Sequence, residues 1–444
     1  MRWFRSRLFR ATLILFSAGV VNRLLGVAYR VGLARAVGAE GLGLIQRAFP
    51  VFLLFLTVAT LGLGTGVAKM VADAAALRRY GEAERVRRVA LWLVTPSILA
   101  ATVLLVLAAP LLARTLLHDE RIAFPLWALA PALIASGFSS VLRGYFQGYE
   151  MMSPIAAGQV AEQLVRVVAV YALFAWYLPD DEAALAALAA GCTALGEWVG
   201  LAALLLAYRR RRRGAVVVHD RPPPRRRAVA AHLVRLSWPV ALSHVVGSLN
   251  ATLDAVLIPA RLLATGLTVE EATARFGELV GMAVPVVYLA TVALHPLSTT
   301  LIPEIAEAAT LRRRDDLRLR SALALGATVA IGAGMSAAMM LAPAALGRLL
   351  YGEPDIAPML MTLSFAAPFM YLNITGSGIL NGLGRTTDGM IIGLAGSILR
   401  LLLVYALTGM PQLGIQGAAL AIGVSQGAAG LVTWLRVIQL LREI

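Results

Sequence analysis

A single cysteine, Cys192, is all the thiol chemistry this chain has. It excludes an internal disulfide framework and any metal site built on several cysteines. Charge is also scarce. Asp, Glu, Lys and Arg make up 15% of the 444 residues, well short of the quarter usual in soluble domains. Acid is scarcer than base, 25 Asp and Glu against 40 Lys and Arg, which leaves a formal net charge of +15. No Gly-x-Ser-x-Gly sits in a strand context, no glycine-rich phosphate loop occurs, and no two histidines stand at metal-ligand spacing. No catalytic residue, metal site or cofactor is therefore expected, and the chain reads as a non-enzyme.

What fills the sequence is apolar. Hydrophobic residues reach 59% and the mean hydropathy is +0.76, too high for a soluble protein. Twelve windows with few charges are each long enough to cross a bilayer: about 8–34, 45–71, 89–113, 122–142, 153–177, 183–208, 233–260, 279–303, 321–347, 356–383, 389–409 and 412–435. The first is too long, too charged in its middle and too poor in small residues at a cleavage point to be a removed signal. The expected fold is an all-α polytopic membrane protein of twelve helices.

The excess of base does not point to nucleic acid. With twelve spans and both ends on one side, 28 of the Lys and Arg residues fall on the side of the termini and 7 on the other, and 5 lie within spans. This is the positive-inside bias, and it predicts N and C termini in the cytoplasm, with membrane lipids as neighbours. The longest polar interval, RRRRRGAVVVHDRPPPRRR from Arg209 to Arg227, is self-repelling and proline-stiffened. It reads as a cytoplasmic linker at 209–232, with contact to the anionic leaflet as the sharper alternative.

That linker separates two diverged copies about 234 positions apart. Phe146-Gln147-Gly148 answers Leu380-Asn381-Gly382, and eighteen residues on from each glycine a lone arginine sits in an apolar run, Arg166 and Arg400. Leu77-Arg78-Arg79 answers Leu311-Arg312-Arg313, and Leu-Ala-Arg-Thr-Leu-Leu at 112–117 echoes Leu-Gly-Arg-Leu-Leu at 346–350. The expected organisation is two pseudo-symmetric six-helix bundles, 1–208 and 233–444. Repeated halves in an apolar chain mark transporters whose substrate binds between the halves.

Polar residues inside spans are costly, so they are the candidate functional residues. In the first span Arg23 and Arg30 are seven apart and share one face within about 20°, with Asn22 beside them. Two readings stay open: a water- or anion-filled cavity, or ion pairs with carboxylates of other spans. Glu162 and Arg166 are four apart in the order that favours an intrahelical salt bridge, so they are either a self-neutralised pair or part of a substrate site. Arg400 needs a partner from another helix, and Glu197 is a candidate. Asn250 and Asp254 share a face of the seventh span; Asp254 could bind a cation, carry a proton or pair with Arg23 or Arg30. His295-Pro296 is expected to interrupt the eighth span.

The run NRLLGVAYRVGLARAVGAEGLG at 22–43, PLSTTLIPEIAEA at 296–308 and Gly-Leu-Gly-Arg at 382–385 resemble motifs of the stage V sporulation protein B family. That family sits in the MOP exporter superfamily with lipid II flippases, O-antigen flippases and MATE-type multidrug exporters. The resemblance implies two six-helix bundles working by alternating access, with a polyprenyl-pyrophosphate-linked oligosaccharide as the typical cargo and cell-wall synthesis proteins as possible partners. Arg23 matches a first-helix arginine that lipid II flippases need. Departures are the absence of further arginines in the second and eighth helices, and twelve helices where many relatives have fourteen. The resulting site expectation is Arg23, Arg30, Asn22, Arg166 and Arg400 for substrate, and Asp254, Glu162 and Asn250 for ion coupling. A flippase of an undecaprenyl-pyrophosphate-linked precursor is the leading reading. The alternatives are a cation-coupled multidrug exporter and a non-transporting scaffold in wall assembly or sporulation.

Overall fold

A computed structural model describes residues 7–177, 179–214 and 225–443. Residues 215–224, the middle of the expected linker, lie outside the described residues, as does the side chain of Ser243. Among the described residues every regular element is helical. The chain divides into two compact units, Met1–Ala255 and Val256–Ile444.

The first unit holds α1 (Arg7–Thr60), α2 (Leu63–Ala76), α3 (Tyr80–Leu111), α4 (Ala123–Gly148), α5 (Met152–Trp176), α6 (Glu182–Gly214) and most of α7 (Arg226–Leu263). The 54 residues of α1 would span about 80 Å, more than twice the hydrocarbon core of a bilayer. Gly38 resolves this. Its φ of 63° and ψ of −174° are not helical and break α1 into limbs 7–37 and 39–60, each long enough to cross. The boundary between units falls inside α7 because its first half packs on α2: Val229 and Leu233 join the same core as Leu63, Val67 and Val71. A Cβ added at Gly62 would lie 2.9 Å from the Ser237 carbonyl oxygen, so only glycine permits this approach.

The second unit continues with α8 (Val269–Phe276), α9 (Val284–Tyr288), α10 (Thr291–Thr310), α11 (Arg314–Leu341), α12 (Pro343–Tyr351), α13 (Ala357–Ser364), α14 (Ala367–Gly382), α15 (Thr386–Thr408) and α16 (Ile415–Glu443). Two spans here are bent pairs. Val269–Tyr288 meets Thr291–Thr310 at 53°, and Pro354–Ser364 meets Ala367–Gly382 at 58°. Among the described residues nine helices are long and apolar enough to cross, and the bent pairs raise this to eleven. Counting the two limbs of α1 separately gives twelve, in the order of the twelve apolar windows.

A proline follows each bend. The sequence placed a break at Pro296, but α10 runs through it; the break lies nearly two turns earlier, at Leu289–Ala290. There Val292 and Ala293 donate to Leu289 and Ala290 in tight i→i−3 bonds of 3.1 Å, which wind the first turn of α10 more closely than an α-helix. Pro368 cannot donate to the Ser364 carbonyl four residues back. The Ser336 hydroxyl on α11 donates to it instead, at 2.6 Å.

The repeat is written in the backbone. Three left-handed positions recur 234 residues apart: Arg78 (φ 56°) and Arg312 (53°), His118 (52°) and Gly352 (81°), Glu150 (56°) and Gly384 (73°). The same glycines close the same helix contacts. A Cβ at Gly144 would meet the Gly64 carbonyl oxygen at 2.2 Å, and one at Gly378 would meet Ser298, which stands 234 residues after Gly64, at 2.4 Å. Gly148 lies against Ala68 and Val71, and Gly382 against Ile302 and Ile305. One contact is inverted. Gly137 on α4 faces Ile98 on α3, whereas at the matching positions Tyr371 on α14 faces Gly332 on α11. Lipid offers no hydrophobic drive between helices, so close backbone approach through small residues holds these bundles together.

Candidate functional site

The first limb of α1 packs on α5 and α6 through Gly26, Tyr29 and Gly32. Gly26 lies over the Gln163 amide, the Tyr29 and Thr193 hydroxyls are 2.9 Å apart, and a Cβ at Gly32 would overlap the Tyr171 ring at 2.7 Å. At 100° per residue, Arg23 and Arg30 point on average about 110° away from this contact. Arg30 is exposed, and Arg23 and Asn22 are half-buried. The Asn22 side-chain amide oxygen, Oδ1, is buried with no hydrogen-bond partner among the described residues.

Deeper in the first unit, three helices converge on an ion cluster. Arg166 on α5 reaches Glu162 one turn back at 2.7 Å and Glu197 on α6 at 2.6 Å. Arg143 on α4 donates to Glu162 at 2.8 Å, and the Ser136 hydroxyl donates to Glu197 at 2.7 Å. Two guanidinium groups thus face two carboxylates, and the cluster is electrically balanced. Small residues on α6 make room for it. A Cβ at Gly196 would strike the Arg166 side chain at 2.5 Å, and one at Gly200 would meet Glu162 at 3.0 Å. The intrahelical pair is present, and Glu197 is bound to Arg166. Arg143, which sequence hydropathy assigns to a loop, sits inside α4.

Arg400 on α15 is half-buried. The positions equivalent to Glu162 and Glu197 in its unit are Gly396 and Leu431, so neither carboxylate is repeated there. It interacts electrostatically with Tyr288. Asp254 is buried on α7 and Asn250, one turn before it, is half-buried. Asp254 belongs to the first unit, one residue from the boundary.

Sequence reasoning missed a second buried cluster. Arg47, 2% exposed in the second limb of α1, lies 3.5 Å from Asp119 and donates to the Leu117 carbonyl. Arg121 also binds Asp119, at 3.0 Å, and pairs with Glu40. Asp119 caps the short turn Glu120–Ile122 by accepting from the Arg121 backbone N–H. The available signal was Arg47 itself, a charge inside an apolar run of the kind singled out elsewhere. Among the described residues no group of three or more His, Cys, Asp or Glu side chains could hold a metal ion.

Residues 8–309 match the family described as polysaccharide biosynthesis protein, and residues 279–406 match the family described as MatE. The chain is 31% identical over 418 residues to stage V sporulation protein B of Bacillus subtilis (strain 168), an overlap covering 93% of this chain and 80% of that protein. It is 29% identical over 171 residues to the lipid II flippase MurJ of the same organism, covering 37% of this chain and 31% of that one. An inward-facing multidrug resistance MATE family transporter of the MOP superfamily superposes with a TM-score of 0.79 at 19% identity, over 97% of this chain and 98% of that chain. A MOP superfamily transporter from Pyrococcus furiosus gives 0.66 at 19% identity, over 97% and 95%. At such identities the structures share the fold alone, and the sequence relatives carry the family. The chain belongs to the polysaccharide biosynthesis protein family, has stage V sporulation protein B and MurJ as relatives, and shares the fold of MOP superfamily transporters.

Proposed function

We propose that this protein is a flippase that moves an undecaprenyl-pyrophosphate-linked cell-wall or polysaccharide precursor across the bacterial cytoplasmic membrane by alternating access. Both termini are taken to lie in the cytoplasm, with 1–208 and 233–444 as the repeated halves and 209–232 as the linker. The observation that carries the reading is the first limb of α1. Arg30 stays exposed on a face turned away from α5 and α6, and an arginine so placed in an apolar span requires water or an anion before it. Pyrophosphate suits that requirement, because each guanidinium offers a planar fork to two phosphate oxygens. Asn22 and Arg23 extend the same polar stretch, and Arg400 adds positive charge in the second unit. Arg166 and Glu162 serve the framework in this reading, since they are already bound to Arg143 and Glu197. Asp254, with Asn250 one turn away, is the ion-coupling candidate. The relative named lipid II flippase supports a lipid-linked cargo.

The test is translocation of lipid II and other polyprenyl-pyrophosphate-linked sugars in proteoliposomes. Arg23→Ala and Arg30→Ala are expected to slow transport about tenfold or more each. Arg23→Lys should recover only part of the rate, because an ammonium cannot reproduce the bidentate fork. Rates equal to wild type for both alanine variants would remove the anchor. Transport of cationic dyes with no response to polyprenyl-pyrophosphate lipids would replace the flippase by a multidrug exporter.

A further inference from the structure

The two most basic polar intervals of the first unit meet in one cavity. It has a volume of about 490 Å³ and is lined by Arg85, Arg88, Val89 and Trp92 of α3 and by Arg226, Arg227 and Ala230 of α7. Residues 85, 88, 89 and 92 follow the i, i+3, i+4, i+7 spacing of one helix face. None of the four arginines makes a salt bridge or a side-chain hydrogen bond among the described residues, and the Arg85 Nε is buried without a hydrogen-bond partner.

The nearby acids are already committed. Glu82 pairs with Arg79 at 3.7 Å. Glu84 accepts from Arg87 and, at 2.7 Å, from the Tyr208 hydroxyl, and Arg87 also lies over the Tyr208 ring at 4.3 Å. Arg88 feels Glu84 only through space. Among the described residues, four guanidinium groups therefore surround a space without a carboxylate of their own. The start of α7, a 38-residue helix, adds the positive end of its dipole.

The floor says what kind of anion fits. Val89 is buried there, and Trp92, one turn deeper along α3 than Arg88, is 72% exposed. Beyond it α3 carries no charge as far as Leu111 and is mostly apolar. Arginines at the shallow end, a tryptophan at the next level and hydrocarbon-facing helix below are the order of groups met on entering a bilayer from the headgroups. A solvated basic surface would need neither the apolar floor nor the exposed indole.

We propose that this cavity binds the phosphate of an anionic phospholipid headgroup, held by Arg85, Arg88, Arg226 and Arg227 with its acyl chains running down past Trp92. The site is separate from the cargo residues proposed above and does not depend on them.

Native mass spectrometry of the purified full chain, titrated with phosphatidylglycerol or phosphatidylcholine, tests it. Wild type should retain phosphatidylglycerol in preference to phosphatidylcholine. Replacing the four cavity arginines by alanine should weaken that retention about tenfold or more. A control that loses equal charge elsewhere, with Arg209, Arg210, Arg314 and Arg442 replaced by alanine, should stay within about twofold of wild type. Unchanged retention by the cavity variant, or equal loss in the control, overturns the site. Inorganic pyrophosphate is the soluble probe. Displacement of phosphatidylglycerol by micromolar pyrophosphate would make this a site for a soluble anion and overturn the lipid assignment; no displacement supports it. A second readout leaves every arginine in place. Brominated phosphatidylglycerol should quench wild-type fluorescence more than that of Trp92→Phe, whereas brominated phosphatidylcholine should quench both alike. Equal quenching of the two proteins by the brominated anionic lipid overturns the proposal.

Discussion

Arg166 and Arg400 occupy the same position in two copies of one bundle, yet the two carboxylates that flank the first are not repeated at the equivalent positions of the second. Around Arg166, α4, α5 and α6 supply Arg143, Glu162, Glu197 and Ser136, all within 2.8 Å hydrogen-bonding contacts. Around Arg400 the equivalent positions hold Gly396 and Leu431. Divergence has kept the cation in both units and these two anions in one. The first unit has turned its arginine into a structural tie between helices, and the second has kept its arginine with glycine and leucine at those two positions. Like position in a repeat therefore does not mean like role. A charge inside a span has to be read with the residues its own bundle places around it.

The largest effect that would sharpen this contrast is loss of Arg166. Arg166→Ala leaves Glu197 with only the Ser136 hydroxyl and Glu162 with only Arg143, and should cost about 3 kcal/mol of stability, measured by equilibrium unfolding in mixed micelles. Arg400→Ala should cost less than half as much in the same assay. Equal losses would break the asymmetry.

Next in size come the paired glycine contacts. Gly144→Ala pushes a methyl onto the Gly64 backbone, and Gly378→Ala pushes one onto Ser298, hydroxyl first. Each should cost about 2–3 kcal/mol. Adding Ser298→Gly should return part of the loss at Gly378, because the nearest obstacle there is a side chain. No side-chain change should rescue Gly144, where the obstacle is a carbonyl. If Ser298→Gly has no effect, the two contacts are closer in kind than their geometry indicates.

The smallest effect concerns the left-handed turns. His118→Gly should stabilise the fold by about 0.5–1 kcal/mol, since it gives the first unit the residue its twin already has at Gly352. Gly352→Ala should destabilise by a similar amount. Thermal unfolding in detergent would show the two shifts with opposite signs.

Much of this fold was legible in the sequence because hydropathy and self-similarity are properties of the chain itself. The twelve windows match the observed spans in order, and the offset of 234 reappears in φ angles and glycine contacts. The i,i+4 pair of Glu162 and Arg166 was legible for the same reason, since both residues lie on one helix. Contacts between helices were not, because they depend on how each helix is rotated about its axis. Glu197 could have turned toward either arginine, and only packing of α6 on α5 through Gly196 and Gly200 decides for Arg166. Arg47 and Asp119 were lost to a boundary error. Hydropathy windows assign Asp119 and Arg121 to a loop, whereas the chain folds that loop back onto a buried guanidinium. The break expected at Pro296 lies nearly two turns before it, beyond the single preceding turn that a proline ring disturbs.

The inverted contact between Gly137 and Ile98 in one unit, and Gly332 and Tyr371 in the other, limits how freely the units could trade parts. Moving α3 alone into the place of α11 would drive Ile98 into Tyr371, and the reverse exchange would leave glycine opposite glycine and an empty gap. A graft succeeds only if each helix travels with its mate. Although the two copies descend from one ancestral bundle, their helices have become matched sets, interchangeable as couples and incompatible as individuals.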